Sequence, residues 1–385
     1  MKEINTAMIL NLLHREGRLT RAELTNITKL SATTVSVLIE ELIEKNYVEE
    51  IGEKYAKGAG RRAISLQINK QGGYVIGISF GNHYLTCAVM NLHGQCIAEF
   101  KTKIAIGNDP IAEQINVALC NCLNQVDSLE MELIKGIGVS TPGIIDSNGE
   151  VVLFSSYLQL SNFNLKDHIS KAFPNIPIKI MNDSNAAAFA EFYSGSAKDK
   201  SNVIYLTINE GIGSGLIIDS QIYAGFQGAA GEIGHIPVDP GGEVCTCGAR
   251  GCIETVLTSP FILKKCQQIA LEQNVEIPLT FEDVVDRYEG GETWLDPIFE
   301  KIQFITTFMI ASATNFVSPE VIIIEGWMNQ SPKLLDKVKQ AVQAFPFPIR
   351  FNSDRILPAS YGDKGALYGA ATLMLQQIFS ASVLK

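Results

Sequence analysis

The first apolar positions of the chain fall at helical spacing: "NTAMILNLLHREG" carries an apolar stripe and ends on a glycine, which predicts a helix of about three turns. "LTRAELTNITKLSATTVSVLIEELIEKNYV" continues with a short helix from about Arg21, a turn near Lys29-Leu30 and a longer helix after Ser31. Ser31 is a good N-cap, and Val35, Leu38, Ile39, Leu42 and Ile43 make one apolar stripe. "VEEIGEKYAKGAGRRAISLQIN" then reads as strand, basic glycine-containing tip and strand. From Tyr74 onward the period changes. Buried-type strands ("YVIGISF", "TCAVMNL", "IKGIGVS", "IKIMND", "NVIYLTI", "SGLIID", "EVIIIEG") alternate with helical stretches around 111–129, at "SNAAAFAEFYSG", and in the closing "GALYGAATLMLQQIF". Alternation on this scale predicts an α/β body with predominantly parallel sheets in two lobes.

Three helices followed by a wing place the second helix of the pair in a DNA major groove. Arg21, Ala32, Thr33, Thr34 and Ser36 are the candidate contacts from the helices, and Lys57, Arg61 and Arg62 those from the wing tip. The start of that helix has no Arg or Asn for a bidentate base contact, so specificity falls to hydroxyls, thymine methyls, the wing and DNA shape. Charge agrees with this division. Residues 1–70 carry 11 Lys+Arg against 9 Asp+Glu, net +2, while the remainder carries 20 against 32, net −12, so only the first segment suits a polyanion.

At 385 residues the chain has room for two or three domains, and the boundaries read as 1–70 for the winged head, 71–185 for a first lobe on which a C-terminal helix of about 365–380 packs, and 186–364 for a second lobe. No run of eighteen apolar residues offers a membrane span, and the acidic N-terminus has no cleavage site, so a cytoplasmic protein is expected. Of eight cysteines, Cys245, Cys247 and Cys252 cluster in "GHIPVDPGGEVCTCGARGC", with His235 at its head. One imidazole and three thiolates supply a closed tetrahedral zinc site, which organises a loop and leaves no position for a catalytic water. Around it stand Glu232 and Glu254. With Asn182 and Asp183 of "MNDSNAA" they offer carboxylates and an amide suited to sugar hydroxyls. The glycine-rich "TINEGIGSGLIID" reads as a turn able to bring backbone N–H groups to a ligand, or as a plain hairpin.

Taken in order, "STPGIID", "MNDSNAAAFAE", "GIGSGLIID", "GEIGH", "CTCGARGCIE", "SPEVIIIEG" and "GDKGALYGAA" resemble the ROK family of repressors, open reading frames and kinases, over roughly residues 5–375. The winged N-terminus is similar to that of its repressor branch, which includes xylose repressors. The resemblance implies an actin-like, ribonuclease-H-like two-lobed body, a structural Zn2+, a homodimer or homotetramer, and a sugar or sugar-phosphate effector held by Asn182, Asp183, Glu232, His235 and Glu254. His235 would then serve the zinc with one ring nitrogen and the sugar with the other. In the family's kinases the first hairpin resembles D-x-G-G-T, whereas here Ser79, Phe80, Gly81, Asn82 and His83 occupy it. Losing the acid and the close backbone approach removes the means of holding phosphates. Glu325 and Trp327 stand where the kinases run glycines beside adenosine, and are expected to obstruct a nucleotide; "SYLQLSNFNL" lacks the tryptophan usual before the sugar site. The expectation is therefore a sugar-responsive repressor of carbohydrate-utilisation genes that binds operator DNA, with no catalytic residue. Its rival is an ATP-dependent sugar kinase with a regulatory DNA-binding head.

Overall fold

The computed structural model describes residues 1–54, 63–81, 83–127, 129–348 and 351–380. The chain divides into two compact units, Met1–Met181 together with the chain from Ala370 onward, and Asn182–Gly369.

The first unit begins with α1 (Lys2–Glu16), β1 (Leu19–Thr20), α2 (Arg21–Thr28), α3 (Ala32–Glu44), β2 (Val48–Lys54) and β3 (Ala63–Ile68). Thr20 and Glu23 form a reciprocal capping box at the start of α2, satisfying two backbone donors that the first turn leaves unpaired. Lys29, with φ 60°, turns the chain out of α2, and Ser31 Oγ accepts the Thr34 N–H at 3.1 Å to start α3. Ile9, Leu10 and Leu13 of α1, Leu24 of α2, and Val35, Leu38, Ile39 and Leu42 of α3 are all buried, so one apolar stripe per helix builds this small core. The strands close it in the order β1-β3-β2. The expected tip residues Lys57, Arg61 and Arg62 lie outside the described residues.

A five-stranded sheet follows, from β4 (Tyr74–Phe80), β5 (Tyr84–Asn91), β6 (Cys96–Lys103), β7 (Ile134–Thr141) and β11 (Ile178–Asn182), covered by α4 (Asn108–Leu123) and α5 (Leu165–Ala172). Between β7 and α5, β8 (Ile144–Ile145), β9 (Val152–Ser155) and β10 (Leu160–Phe163) make a small antiparallel sheet. The second unit contains α6 (Asp183–Ser194), β12 (Val203–Ile208), β13 (Ile212–Ile218), β14 (Gln221–Ile222), α7 (Glu254–Leu257), α8 (Ser259–Gln273), α9 (Phe281–Glu289), α10 (Asp296–Val317), β15 (Val321–Gly326), α11 (Pro332–Ala344) and β16 (Ile356–Pro358). α12 (Gly365–Ile378) starts in the second unit and finishes in the first.

The large sheets run β11-β7-β4-β5-β6 and β14-β13-β12-β15-β16. Renumbered within each unit these are one order, 3-2-1-4-5, so the same topology occurs twice. Neither sheet is predominantly parallel. β4-β5-β6 and β12-β13-β14 are antiparallel meanders, and the parallel pairs include β4 with β7, β12 with β15 and β15 with β16. The connections decide this: three residues separate β4 from β5 and three separate β12 from β13, enough for a hairpin but not for the dozen or more that a parallel crossover needs.

α12 is seated at close range in both units. A Cβ on Gly369 would lie 1.7 Å from the Ala186 carbonyl oxygen of α6, and one on Gly138 of β7 would lie 1.9 Å from that of Ala370. Beyond the helix, the Phe379 carbonyl accepts the Asn11 amide at 2.6 Å and its ring sits 4.7 Å from His14, so the C-terminal segment is tied to α1. Among the described residues no helix is long and apolar enough to cross a membrane.

Candidate functional site

Four metal-type donors meet in the loop that follows β14. His235 sits in a single 3-10 turn, Ile233–His235, and the chain returns through short bridges pairing Pro237 with Cys252 and Val244 with Arg250. This fold-back needs Gly251, whose φ is +67° and whose Cβ would lie 1.6 Å from the Asp239 carbonyl oxygen. His235 Nδ1 is 3.6 Å from Cys245 Sγ, Cys247 Sγ is 3.7 Å from Cys252 Sγ, and all four donor atoms lie within 4.8 Å of one another. A tetrahedral ion with ligands at about 2.0–2.3 Å requires donor separations of about 3.5–3.8 Å, so the set fits a soft tetrahedral cation. Burial pushes the Cys252 thiol up to about 12 and raises Cys245, while the Ala249 N–H lowers exposed Cys247. Two of the three thiols are therefore neutral unless a cation compensates for their burial.

A glycine contrast tests the loop. Gly251→Ala is expected to cost about 3 kcal/mol or more through the backbone clash. Gly248→Ala, at φ +89° with nothing within 4 Å of its Cβ, should cost about 1–2 kcal/mol. Urea unfolding of the two variants measures both, and equal losses would contradict the geometry.

The His235 ring joins this cluster to a wall of carboxylates. Its Nε2 faces Glu232 Oε2 at 3.8 Å, on the side away from the thiols. Glu254 Oε1 accepts the Ile212 N–H at 3.1 Å, and its Oε2 accepts from Cys245 Sγ at 3.5 Å and lies 3.7 Å from His235 Nδ1. Asp183 opens α6 with Oδ1 accepting the Ser184 N–H at 2.8 Å. Burial, reinforced by the nearby charge of Glu232, raises the Asp183 carboxyl to about 6. Asn182 is the N-cap of that helix, its Oδ1 accepting from Ser184 N–H at 3.0 Å and Asn185 N–H at 3.2 Å, so its oxygen is committed to the backbone. Asp183, Glu232, His235 and Glu254 thus belong to one polar system within the second unit.

Other expectations change in the structure. Of the two readings of "TINEGIGSGLIID", the structure has the hairpin, β12 pairing antiparallel with β13, and two of its glycines also serve helix packing: Cβ atoms on Gly213 and Gly215 would lie 2.2 Å from Ser184 Oγ and 2.3 Å from the Ser184 carbonyl oxygen, so they let α6 lie flat on β13. Trp327 lies inside the second unit. Gly326, at φ +114°, turns the indole into the core, where it is 3% exposed, donates to the Leu257 carbonyl at 3.0 Å and meets Phe281 edge-on at 5.1 Å. Glu325 is also buried, with both oxygens accepting from the Asn209 amide at 3.0 and 3.2 Å, and burial raises its carboxyl. In the first unit the β4–β5 turn is closed by the Gly81 N–H on the Tyr84 carbonyl at 2.9 Å, with Ser79 buried and Asn82 outside the described residues.

On the head, Ala32 and Thr33 are exposed at the start of α3, and Thr34 and Ser36 are half-buried. The Thr34 hydroxyl is 2.8 Å from Ser31 Oγ, within the cap. Arg21 pairs with Glu50 at 2.8 Å. Sequence reasoning passed over Lys29, exposed at the turn, and Val37, which is 48% exposed although the helix is otherwise apolar on its inner side; its position four residues after Thr33 was the available signal.

Residues 75–377 match the ROK family and residues 4–49 a winged helix-turn-helix DNA-binding family. The chain is 30% identical over 378 residues to a xylose repressor of Bacillus spizizenii, covering 98% of this chain and 96% of that one. It is 27% identical to the transcriptional dual regulator NagC of Escherichia coli over 343 residues, covering 87% and 83%. Among solved structures, a ROK family transcriptional regulator homologous to the E. coli MLC protein superposes with a TM-score of 0.83 at 27% identity, covering 100% and 98%. A ROK family glucokinase from Streptomyces griseus reaches 0.67 at 23% identity, covering 78% and 99%.

Proposed function

This chain belongs to the ROK family, and from that premise we propose that it is a sugar-responsive DNA-binding transcriptional repressor of carbohydrate-utilisation genes, acting in the cytoplasm. The observation that carries the reading is a winged helix-turn-helix and a ROK body in one chain, over residues 4–49 and 75–377. Relatives named for xylose and N-acetylglucosamine repression support a sugar as the effector. Asp183, Glu232, His235 and Glu254 are the residues we assign to its hydroxyls, with Asn182 holding the helix that carries Asp183. His235, Cys245, Cys247 and Cys252 are assigned to a structural Zn2+, which when bound cross-links the loop and fixes the imidazole. Two heads of a homodimer or homotetramer engage a two-fold operator, and the effector acts through its higher affinity for the conformation that does not bind DNA. The reading includes no phosphoryl transfer, because Ser79 stands where the kinases' hairpin has its acid.

A melting-temperature screen against pentoses, hexoses, amino sugars, their phosphates, and ATP with Mg2+ tests it. Stabilisation by one sugar class and none by ATP is expected, since a ligand that binds the folded state stabilises it by mass action. Stabilisation by ATP with turnover that Asp183→Asn abolishes would establish the kinase instead.

Asp183 also supplies a pH prediction. Its folded value of about 6 lies above the ordinary carboxylate value of about 3.9. The stability linked to its protonation is therefore full below about 4 and is lost as pH rises through about 6. Asp183→Asn should raise the melting temperature at pH 7.5, and the gain should vanish by pH 4. The same variant should lose most of its sugar-induced stabilisation. An unchanged melting temperature at pH 7.5 would contradict the environment described for this carboxyl.

A further inference from the structure

α3 presents an outward face whose chemistry is uneven along its length. Val35, Leu38, Ile39 and Leu42 are buried, and a period of about 3.6 residues puts Ala32, Thr33, Ser36, Val37, Glu40 and Glu44 on the other side. This face contains no Lys, Arg, Asn or Gln, the side chains that make bidentate contacts to guanine and adenine edges. Glu40 and Glu44, both exposed, occupy its C-terminal half, where DNA phosphates would repel them. Its N-terminal half has the opposite polarity: Lys29 is exposed just before it, and the helix N-terminus adds its positive end. Between these lies Val37, 48% exposed, the one large apolar side chain of α3 left on the surface, one turn after the exposed Thr33.

We infer that α3 enters the major groove by its first turn and a half, and that Val37, together with the Thr33 methyl, reads the C5-methyl groups of thymines in the operator half-site. The inference rests on the DNA-binding reading above and adds the residue and the base feature. The thymine methyl is the apolar feature of a base-pair edge in the major groove. A branched aliphatic side chain gains by covering it, whereas against guanine it would leave O6 and N7 without donors. The charge gradient along α3 sets the depth of entry, bringing the helix start in and holding the two carboxylates out.

The test uses the full-length protein and a pool of duplexes with 26 randomised base pairs, selected for binding at fixed salt. Selected half-sites should contain thymines at fixed positions. Replacing one such thymine by deoxyuridine, which removes only the methyl, should weaken wild-type binding about 3- to 10-fold. At the thymine that Val37 covers, the same replacement should have clearly less effect on Val37→Ala, which lacks both γ-methyls, whereas Val37→Thr, which keeps one of them and the side-chain shape, should still respond, and thermal unfolding of both variants checks that neither has lost the fold. Deoxyuridine replacements that are silent at every position in the wild type, or that damage Val37→Ala as much as the wild type at every position, would overturn the inference. Selection of G·C-defined half-sites without thymine would overturn it as well. Enrichment of no sequence at all would instead overturn the DNA-binding reading beneath it.

Discussion

Cys252→Ser is expected to release the metal and to blunt the effector response, although the residue faces no sugar in our assignment. Cys252 is fully buried, its Sγ 3.7 Å from that of Cys247. Serine there leaves three donors and a poorer ligand in an apolar setting. Metal affinity should fall by about 1,000-fold or more, which at micromolar free zinc removes about 4 kcal/mol of stabilisation or more. The effect should extend beyond stability because His235 is anchored by the same cluster through Nδ1 and faces Glu232 through Nε2. A ring without that anchor is free to reorient, and sugar affinity should drop about 10- to 100-fold, the usual cost of disturbing a ligand's supporting shell. Metal content, the cobalt-thiolate absorption of cobalt-loaded protein and sugar titrations measure these separately. A variant that retains one equivalent of metal and normal sugar binding would contradict the site.

Gly369→Ala is expected to be comparably damaging for a different reason. Its Cβ would lie 1.7 Å from the Ala186 carbonyl oxygen and 2.3 Å from the Ala186 carbonyl carbon, both backbone atoms of α6. Neither can yield as a flexible side chain would. α6 is also pinned on its other faces: by Gly213 and Gly215 against β13, and by buried Glu191, whose carboxylate accepts the N–H groups of Ser196 at 2.7 Å and Tyr361 at 3.2 Å. The helix must shift or α12 must withdraw, at a cost of about 3 kcal/mol or more. Because Asn182 and Asp183 open α6, a shift displaces them too. A lower unfolding midpoint together with weaker sugar binding is therefore expected, with metal affinity unchanged. Wild-type stability in this variant would show that the two helices do not pack as described.

Much of this was legible in the residues. The Ser31 cap, the Lys29-Leu30 turn and the stripe from Val35 to Leu42 located the helix pair, because capping and burial are local properties of a helix. The Cys-x-Cys-x4-Cys spacing located the cluster of candidate metal donors, because the chemistry is carried by residue type. What stayed hidden depends on backbone geometry and distant partners. The mixed sheets were legible in part, since three-residue connections such as Gly81–His83 already require antiparallel pairs, but the repeated 3-2-1-4-5 order was not, since many apolar sequences satisfy the same pairing. The inward turn of Trp327 was not legible, because nothing in its neighbours announces that Gly326 adopts a positive φ. Asn182 read as a ligand-facing amide, and its oxygen is occupied by the cap it forms.

The central claim is that sugar binding controls operator binding in one chain. The most direct measurement is the affinity of the full-length protein for its selected duplex, by fluorescence anisotropy at fixed salt, with and without each sugar and for wild type and Asp183→Ala. One sugar class is expected to weaken wild-type DNA binding by about tenfold or more, while Asp183→Ala binds the duplex normally and does not respond. DNA affinity indifferent to every sugar, in a protein that phosphorylates one of them with ATP, would contradict it.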